Sequence, residues 1–127
     1  MKDYKMEVRY FNCRRNKPII GKGCVLVNTL FDGGAQITIG DNVFFGHDCM
    51  VLTGSHDYTK RGKERIHSAA HRPIIIFDGV WIASGSIILG GNIIGENAVV
   101  GAGSVVTCDI PDNEMWAGNP AKFIKEI

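Results

Sequence analysis

Four histidines, His47, His56, His67 and His71, are the side chains of this chain best suited to moving a proton near neutral pH, where an unperturbed imidazole titrates. Their surroundings separate them. His56, within T-G-S-H-D (53–57), stands where a regular stretch of sequence gives way to an irregular cationic one. Ordered backbone fixes it on one side and solvent reaches it on the other, as a general base requires. Asp57 is a carboxylate beside it, but adjacent side chains rarely face each other suitably, so its role in orienting the imidazole stays unassigned. His47, in G-H-D, reads as a corner residue with a satisfied hydrogen bond. His67 and His71 have H-x-x-x-H spacing, which on a helical turn can hold a metal ion. Arg61, Lys63, Arg65 and Arg72 crowd that pair, and their positive field disfavours a dication, so no metal is expected.

The elements that position these residues follow from a period of six. Ile76, Ile82, Ile88, Ile94, Val100 and Val106 are all β-branched aliphatics, six residues apart. An α-helix repeats near 3.6 and a strand at 2, so each hexad must be a short strand plus a corner. Corners repeated in this way wind the chain into a parallel β-helix. An upstream block starts hexads at Val27, Gly33, Ile39, Phe45 and Val51, with Val43 and Cys49 at the fifth position. In the later block that position holds Val80, Ser86, Asn92, Ala98, Ser104 and Ile110. Val51 and Ile76 are out of register, so a segment between them leaves the coil.

That segment is Asp57–Pro73, D-Y-T-K-R-G-K-E-R-I-H-S-A-A-H-R-P, polar and aperiodic, and it is expected as an external loop long enough to have a task. Residues 1 to about 20 are charged and without clear repeat, and are expected to cap the open end of the coil. Asn119-Pro120 offers a helix N-cap followed by proline, so residues 119–127 are expected as a short terminal helix over the last coil. The expectation is a single all-β domain over residues 1–127, of about four to five coils, with an external loop at about 57–73 and that helix. At roughly 4.8 Å per coil the prism is a stub of about 20 Å, with little core and a tendency to associate.

Composition narrows the function. With 14 Lys and Arg against 13 Asp and Glu, the net charge of +1 argues against a bulk-electrostatic nucleic-acid binder. The cations are segregated: seven lie between Lys2 and Lys22, five between Lys60 and Arg72, and two at Lys122 and Lys125. Positive charge is thus kept off the rungs, where it could meet a phosphate-bearing ligand. There is no long apolar run and no signal-peptide pattern, so no membrane insertion and a cytoplasmic location are expected. The scattered Cys13, Cys24, Cys49 and Cys108 are expected as reduced thiols.

The tracts I-T-I-G-D-N-V (37–43), T-G-S-H-D (53–57), V-W-I-A-S-G (80–85), I-G-E-N-A-V-V-G-A-G-S-V-V-T (94–107) and A-G-N-P-A-K (117–122) resemble the hexapeptide-repeat acyltransferases, in particular the branch of maltose, galactoside and capsular-sugar O-acetyltransferases. The resemblance covers about residues 21–127. It implies a left-handed coil, against the usual crossover hand, and a homotrimer with active sites between neighbouring prisms. It further implies transfer of acetyl from acetyl-CoA to a carbohydrate hydroxyl in polysaccharide biosynthesis. Such a transfer needs a base, donors for the tetrahedral oxyanion and a groove that aligns the thioester. His56 matches the family's catalytic histidine. Ser84 matches a backbone amide near the thioester oxygen, Ala102 and Thr107 meet the pantetheine arm, and Lys122 and Lys125 meet nucleotide phosphates. Trp81 matches an aromatic beside the histidine, and with Asp57 it marks the vicinity of the acceptor.

The chain departs from the pattern in three ways. Cys24 and Leu26 stand where the galactoside branch carries a Tyr-x-Asn sugar-contacting tract, and Cys108 replaces a basic residue after the threonine. The long N-terminal helical segment of the maltose and galactoside enzymes has no counterpart in the sequence. The first argues against a galactoside or maltose acceptor, the second removes one phosphate contact, and the third points toward the short capsule and lipopolysaccharide O-acetyltransferases. The alternatives are a γ-class carbonic anhydrase-like metalloenzyme, an N-acetyltransferase acting on an amino sugar, and an inactive scaffold module. Serine acetyltransferase, another left-handed coil, is a further relative faintly resembled at His71-Arg72-Pro73.

Overall fold

A computed structural model describes residues 7–127. The strands of the first two coils are β1 (Glu7–Phe11), β2 (Ile19–Ile20), β3 (Val25–Asp32), β4 (Ile37–Ile39), β5 (Phe44–His47) and β6 (Met50–Leu52). An arm follows, made of β7 (Gly54–Ser55), helix α1 (Gly62–Ile66) and β8 (Ala70–His71). The coil resumes with β9 (Ile74–Ile76), β10 (Trp81–Ile82), β11 (Ile87–Leu89), β12 (Ile93–Ile94), β13 (Val99–Val100) and β14 (Val105–Val106). It ends in β15 (Glu114–Gly118) and β16 (Ala121–Glu126).

The strands stack into three faces of parallel rungs. One face runs β2, β4, β9, β12 and closes on an Ile94–Ile110 bridge. The second stacks the start of β3 on β5, β10, β13 and β15, and the third stacks β1, the end of β3, β6, β11 and β14. Because β3 runs round a corner at Asn28, those two faces form one ten-stranded sheet. The molecule is a parallel β-helix, as the period of six requires.

Residues that repeat every six point inward and meet their counterparts in the coils above and below. Ile39, Phe45, Val51, Ile76, Ile82, Ile88, Ile94, Val100 and Val106 are buried, and so are the fifth-position residues Val43, Cys49, Val80, Ser86, Asn92, Ala98, Ser104 and Ile110. Polar members of the column are satisfied locally: Ser86 Oγ donates to the Gly101 carbonyl at 3.0 Å, and Asn92 Nδ2 to Leu89 and Val106. The corners take left-handed backbone, which Asn tolerates better than most side chains, as at Asn42 and Asn97. The first coil departs from the count, because a register shift between Val25 and Val27 turns Leu26 inward in place of Val27.

The C-terminal helix expected over 119–127 is not formed. Residues 121–126 are β16, antiparallel to β15, with Gly118↔Ala121, Ala117↔Lys122 and Met115↔Lys125 paired. Gly118-Asn119-Pro120 acts as a turn, with Gly118 at φ +111, where the sequence equally offered a helix N-cap. The physical reason is the last rung. β15 pairs in parallel with β13, which leaves its other edge open, and β16 hydrogen-bonds that edge while Phe123 packs edge-on to Trp116.

At the other end the expected cap is partly visible, its first six residues lying outside the described ones. β1 adds a rung beside β3, Tyr10 stacks on Phe31, and Val8, Cys13 and Ile20 pack against the core. All four cysteines are free thiols. Among the described residues, no helix is long and apolar enough to cross a membrane.

Candidate active site

The lost register between Val51 and Ile76 is an insertion at one corner. The Arg72 N–H donates to the Thr53 carbonyl at 2.9 Å, so the coil closes between these two residues and everything between them projects outward. At the base of this arm β7 and β8 pair antiparallel, Gly54 with His71 and Ser55 with Ala70. The arm is therefore a stem with a tip, where the sequence had suggested an aperiodic loop over 57–73. None of the helical residues of α1 is buried. Polar bonds hold the tip: Arg65 Nε donates to the Lys60 carbonyl at 2.8 Å, and its Nη2 to the Tyr58 carbonyl at 3.1 Å.

His56 follows the stem directly, and its Nδ1 lies 2.9 Å from the Arg65 carbonyl. A carbonyl only accepts, so Nδ1 carries the proton and Nε2 is left with a lone pair. The same carbonyl accepts from Ser68 Oγ at 2.6 Å, and Ser68 Oγ in turn accepts from the Asp57 N–H at 2.8 Å. His56 is thus oriented by a backbone oxygen on α1, braced by a serine. Residue types carry no signal for a backbone acceptor nine positions away, and this partner was missed in the sequence. Asp57 does not take that role. Its Oδ1 accepts from the Thr59 N–H at 2.9 Å and from Thr59 Oγ1 at 2.6 Å, and those bonds hold its carboxyl below the usual carboxylate range.

A cleft of about 450 Å³ opens on His56. Thr53–Asp57, Ser68, Ala70 and Arg72 form one side, and Leu89, Gly90, Asn92 and Thr107 continue it toward the later coils. Three of the sequence candidates, His56, Asp57 and Thr107, therefore meet in one cleft.

The others lie elsewhere on this prism. Ser84 and Ala102 stack at the preceding corner column, where the Gly103 N–H donates to the Ser84 carbonyl at 2.9 Å. Gly46 is required there: a Cβ would fall 2.7 Å from Ser84 N and 2.5 Å from its Oγ. Trp81 is on the outer surface of the second face, 45% exposed and stacked on Phe44 with ring centroids 6.2 Å apart. It does not line the His56 cleft. Lys122 and Lys125 are exposed on β16, so they are strand cations, with no helix dipole behind them. His67 and His71 are not joined by a third ligand: among the described residues, no group of three His, Cys, Asp or Glu could hold a metal. His71 instead lies 3.3 Å from Thr53 Oγ1 at the base of the arm.

Residues 36–54 and 73–108 match a family described as the hexapeptide repeat of succinyl-transferase. The chain is 38% identical over 103 residues, 78% of its length and 47% of the relative's, to a galactoside O-acetyltransferase of Lactococcus lactis subsp. lactis (strain IL1403). It superposes on a maltose O-acetyltransferase from Clostridium difficile 630 with TM-score 0.82 and 35% identity, covering 95% of this chain and 64% of that one. Its likeness to a galactoside acetyltransferase in complex with coenzyme A has TM-score 0.84 and 33% identity, covering 94% and 58%. The chain spans about half the length of the curated relatives it matches.

Proposed function

The chain belongs to the hexapeptide-repeat acyltransferases, with their left-handed β-helix, and from that membership we propose that it transfers acetyl from acetyl-CoA to a hydroxyl of a carbohydrate. The observation that carries this reading is the tautomer imposed on His56: with Nδ1 donating to Arg65, Nε2 is the basic atom, and it belongs to a residue lining the cleft shared with Thr107. His56 Nε2 accepts the acceptor's hydroxyl proton as that oxygen attacks the thioester carbonyl carbon. As the carbon–sulfur bond breaks, the imidazolium returns the proton to the departing thiolate. Proton and charge balance within one residue, and in this scheme the acetyl group passes directly from sulfur to the acceptor oxygen.

The remaining candidates fit this scheme only across copies of the chain. His56 and Thr107 are on one edge of the prism, while Ser84 and Ala102 are on another. We infer a cytoplasmic homotrimer in which the pantetheine arm runs between Thr107 of one prism and the Ser84–Ala102 column of the next. The Ser84 N–H then faces the thioester oxygen, and Lys122 and Lys125 approach the nucleotide phosphates. The outer stripe of Val25, Phe44, Trp81, Val99 and Met115 supports association, because a row of apolar side chains along one face favours burial. The test is release of free thiol from acetyl-CoA over a panel of carbohydrates, with products identified by mass and the assembly sized by sedimentation. Acceptor-dependent thiol release with an O-acetylated product from a trimer is expected. Tight metal binding with CO₂ hydration, or no acceptor-dependent thiol, would sink the reading.

A further inference from the structure

A second concave region lies on the same prism edge, N-terminal to the His56 cleft. Residues 11–17 are laid across the corner of the first coil: the Gly33 N–H donates to the Phe11 carbonyl at 2.9 Å, and Asn16 Nδ2 to the Gly34 carbonyl at 3.3 Å. A hollow of about 460 Å³ opens there, lined by Asn12, Arg14, Arg15, Asn16 and Gly34. An adjoining hollow of about 390 Å³ shares Asn12 and Arg14 and adds Tyr10, Cys13 and Lys17. Three cations thus line the pair, and among the described residues no carboxylate lines either one.

Gly34 is the wall between this basic hollow and the arm. On its other side packs the His71 ring, so closely that a Cβ at residue 34 would collide with it. His71 pairs with Gly54, two residues before His56. The basic hollow and the His56 cleft therefore flank one ridge. From His56 the cleft extends through Gly90 and Asn92 to Thr107, toward the later coils, and that half suits the thioester arm. Across the ridge from that half, on the Gly34 side, lie Arg14 and Arg15. Arg72 lines the His56 cleft itself, together with the carboxylate of Asp57.

We propose that the acceptor carries an anionic group, a phosphate or a carboxylate, which Arg14 and Arg15 bind while its hydroxyl reaches His56. This substrate class rests on the acetyl-transfer reading of the His56 cleft. Guanidinium is suited to the task because its planar fork of N–H donors matches two oxygens of either anion. Both arginines are solvent-exposed, so salt screens the attraction.

Calorimetric titration with a methyl glucoside, a methyl glucuronide and glucose 1-phosphate tests it, on the native protein and on the Arg14→Gln/Arg15→Gln double variant. The native protein should bind at least one of the anionic sugars about tenfold or more tightly than the neutral one. Added salt should shrink that preference, and the double variant should lose it. The stronger of the two anionic ligands distinguishes phosphate from carboxylate recognition. Equal binding of all three by the native protein, a salt-independent preference, or a folded double variant that keeps it would overturn the proposal. Because no acetyl transfer is read, anion-blind binding beside active turnover defeats this inference alone. Anion preference without transfer to any sugar defeats the reaction instead.

Discussion

The hexad ladder and the arm between Thr53 and Arg72 are built from opposite materials. The ladder buries Ile, Val and Phe in continuous columns, each contributing on the order of 1.5–3 kcal/mol by removal from water, and its backbone groups pair with the coils above and below. The arm has a helix with no buried residue, and its tip is fixed by short polar bonds around the Arg65 carbonyl, Ser68 and Asp57. Stability resides in the ladder and the proposed chemistry in the arm. A general base must be accurately oriented yet reachable, and hydrogen bonds orient an exposed ring where packing would cover it.

The contrast is broken most severely from the ladder side. Phe45 is fully buried and packs edge-on against Phe31 at 6.1 Å, so Phe45→Ala should cost about 3–5 kcal/mol in urea denaturation while the rate per folded molecule holds. A variant as stable as the parent would show that the columns do not hold the fold. On the arm side, His56→Ala should lose at least about a hundredfold in thiol release, with melting almost unmoved, since the ring is exposed. Loss of rate through loss of folding would erase the distinction.

Ser68→Ala removes the brace but leaves the base. A fall of about tenfold in kcat with KM little changed is expected, and Ser68→Thr, which keeps the hydroxyl, should restore it. If KM alone rises, Ser68 belongs to substrate binding. The mildest probe uses the thiols. Cys108 is exposed at a corner and should react promptly with a thiol reagent, whereas buried Cys49 should react only on unfolding. Burial raises the Cys49 thiol pKa, so its contribution to stability is complete below the ordinary thiol pKa and is lost as pH rises through the folded value. Equal labelling rates would mean that the interior opens as readily as the corners.

The same contrast explains what the sequence made legible. Inward positions could be read by counting, because a core repeated every six residues imposes one residue class on each position, and the count failed only in the first coil, where Leu26 replaces Val27. His56 was legible because it stands at the break in that period. Its partner was not, since any residue at 65 presents the same carbonyl. Gly118-Asn119-Pro120 was misread because Asn-Pro begins helices and turns alike, and the open edge of β15 that decides between them is a tertiary feature. Ser84 and Trp81 come from the resemblance alone, and on this prism neither lines the His56 cleft.

The arm fixes His56 with its proton on Nδ1 and its lone pair on Nε2. Two-bond nitrogen–carbon-bound-proton correlation NMR of the histidine rings, with His56 assigned by its loss in His56→Ala, reads this tautomer directly. A neutral ring protonated at Nδ1 is expected. A ring protonated at Nε2, or one averaging freely between the two forms, would contradict it.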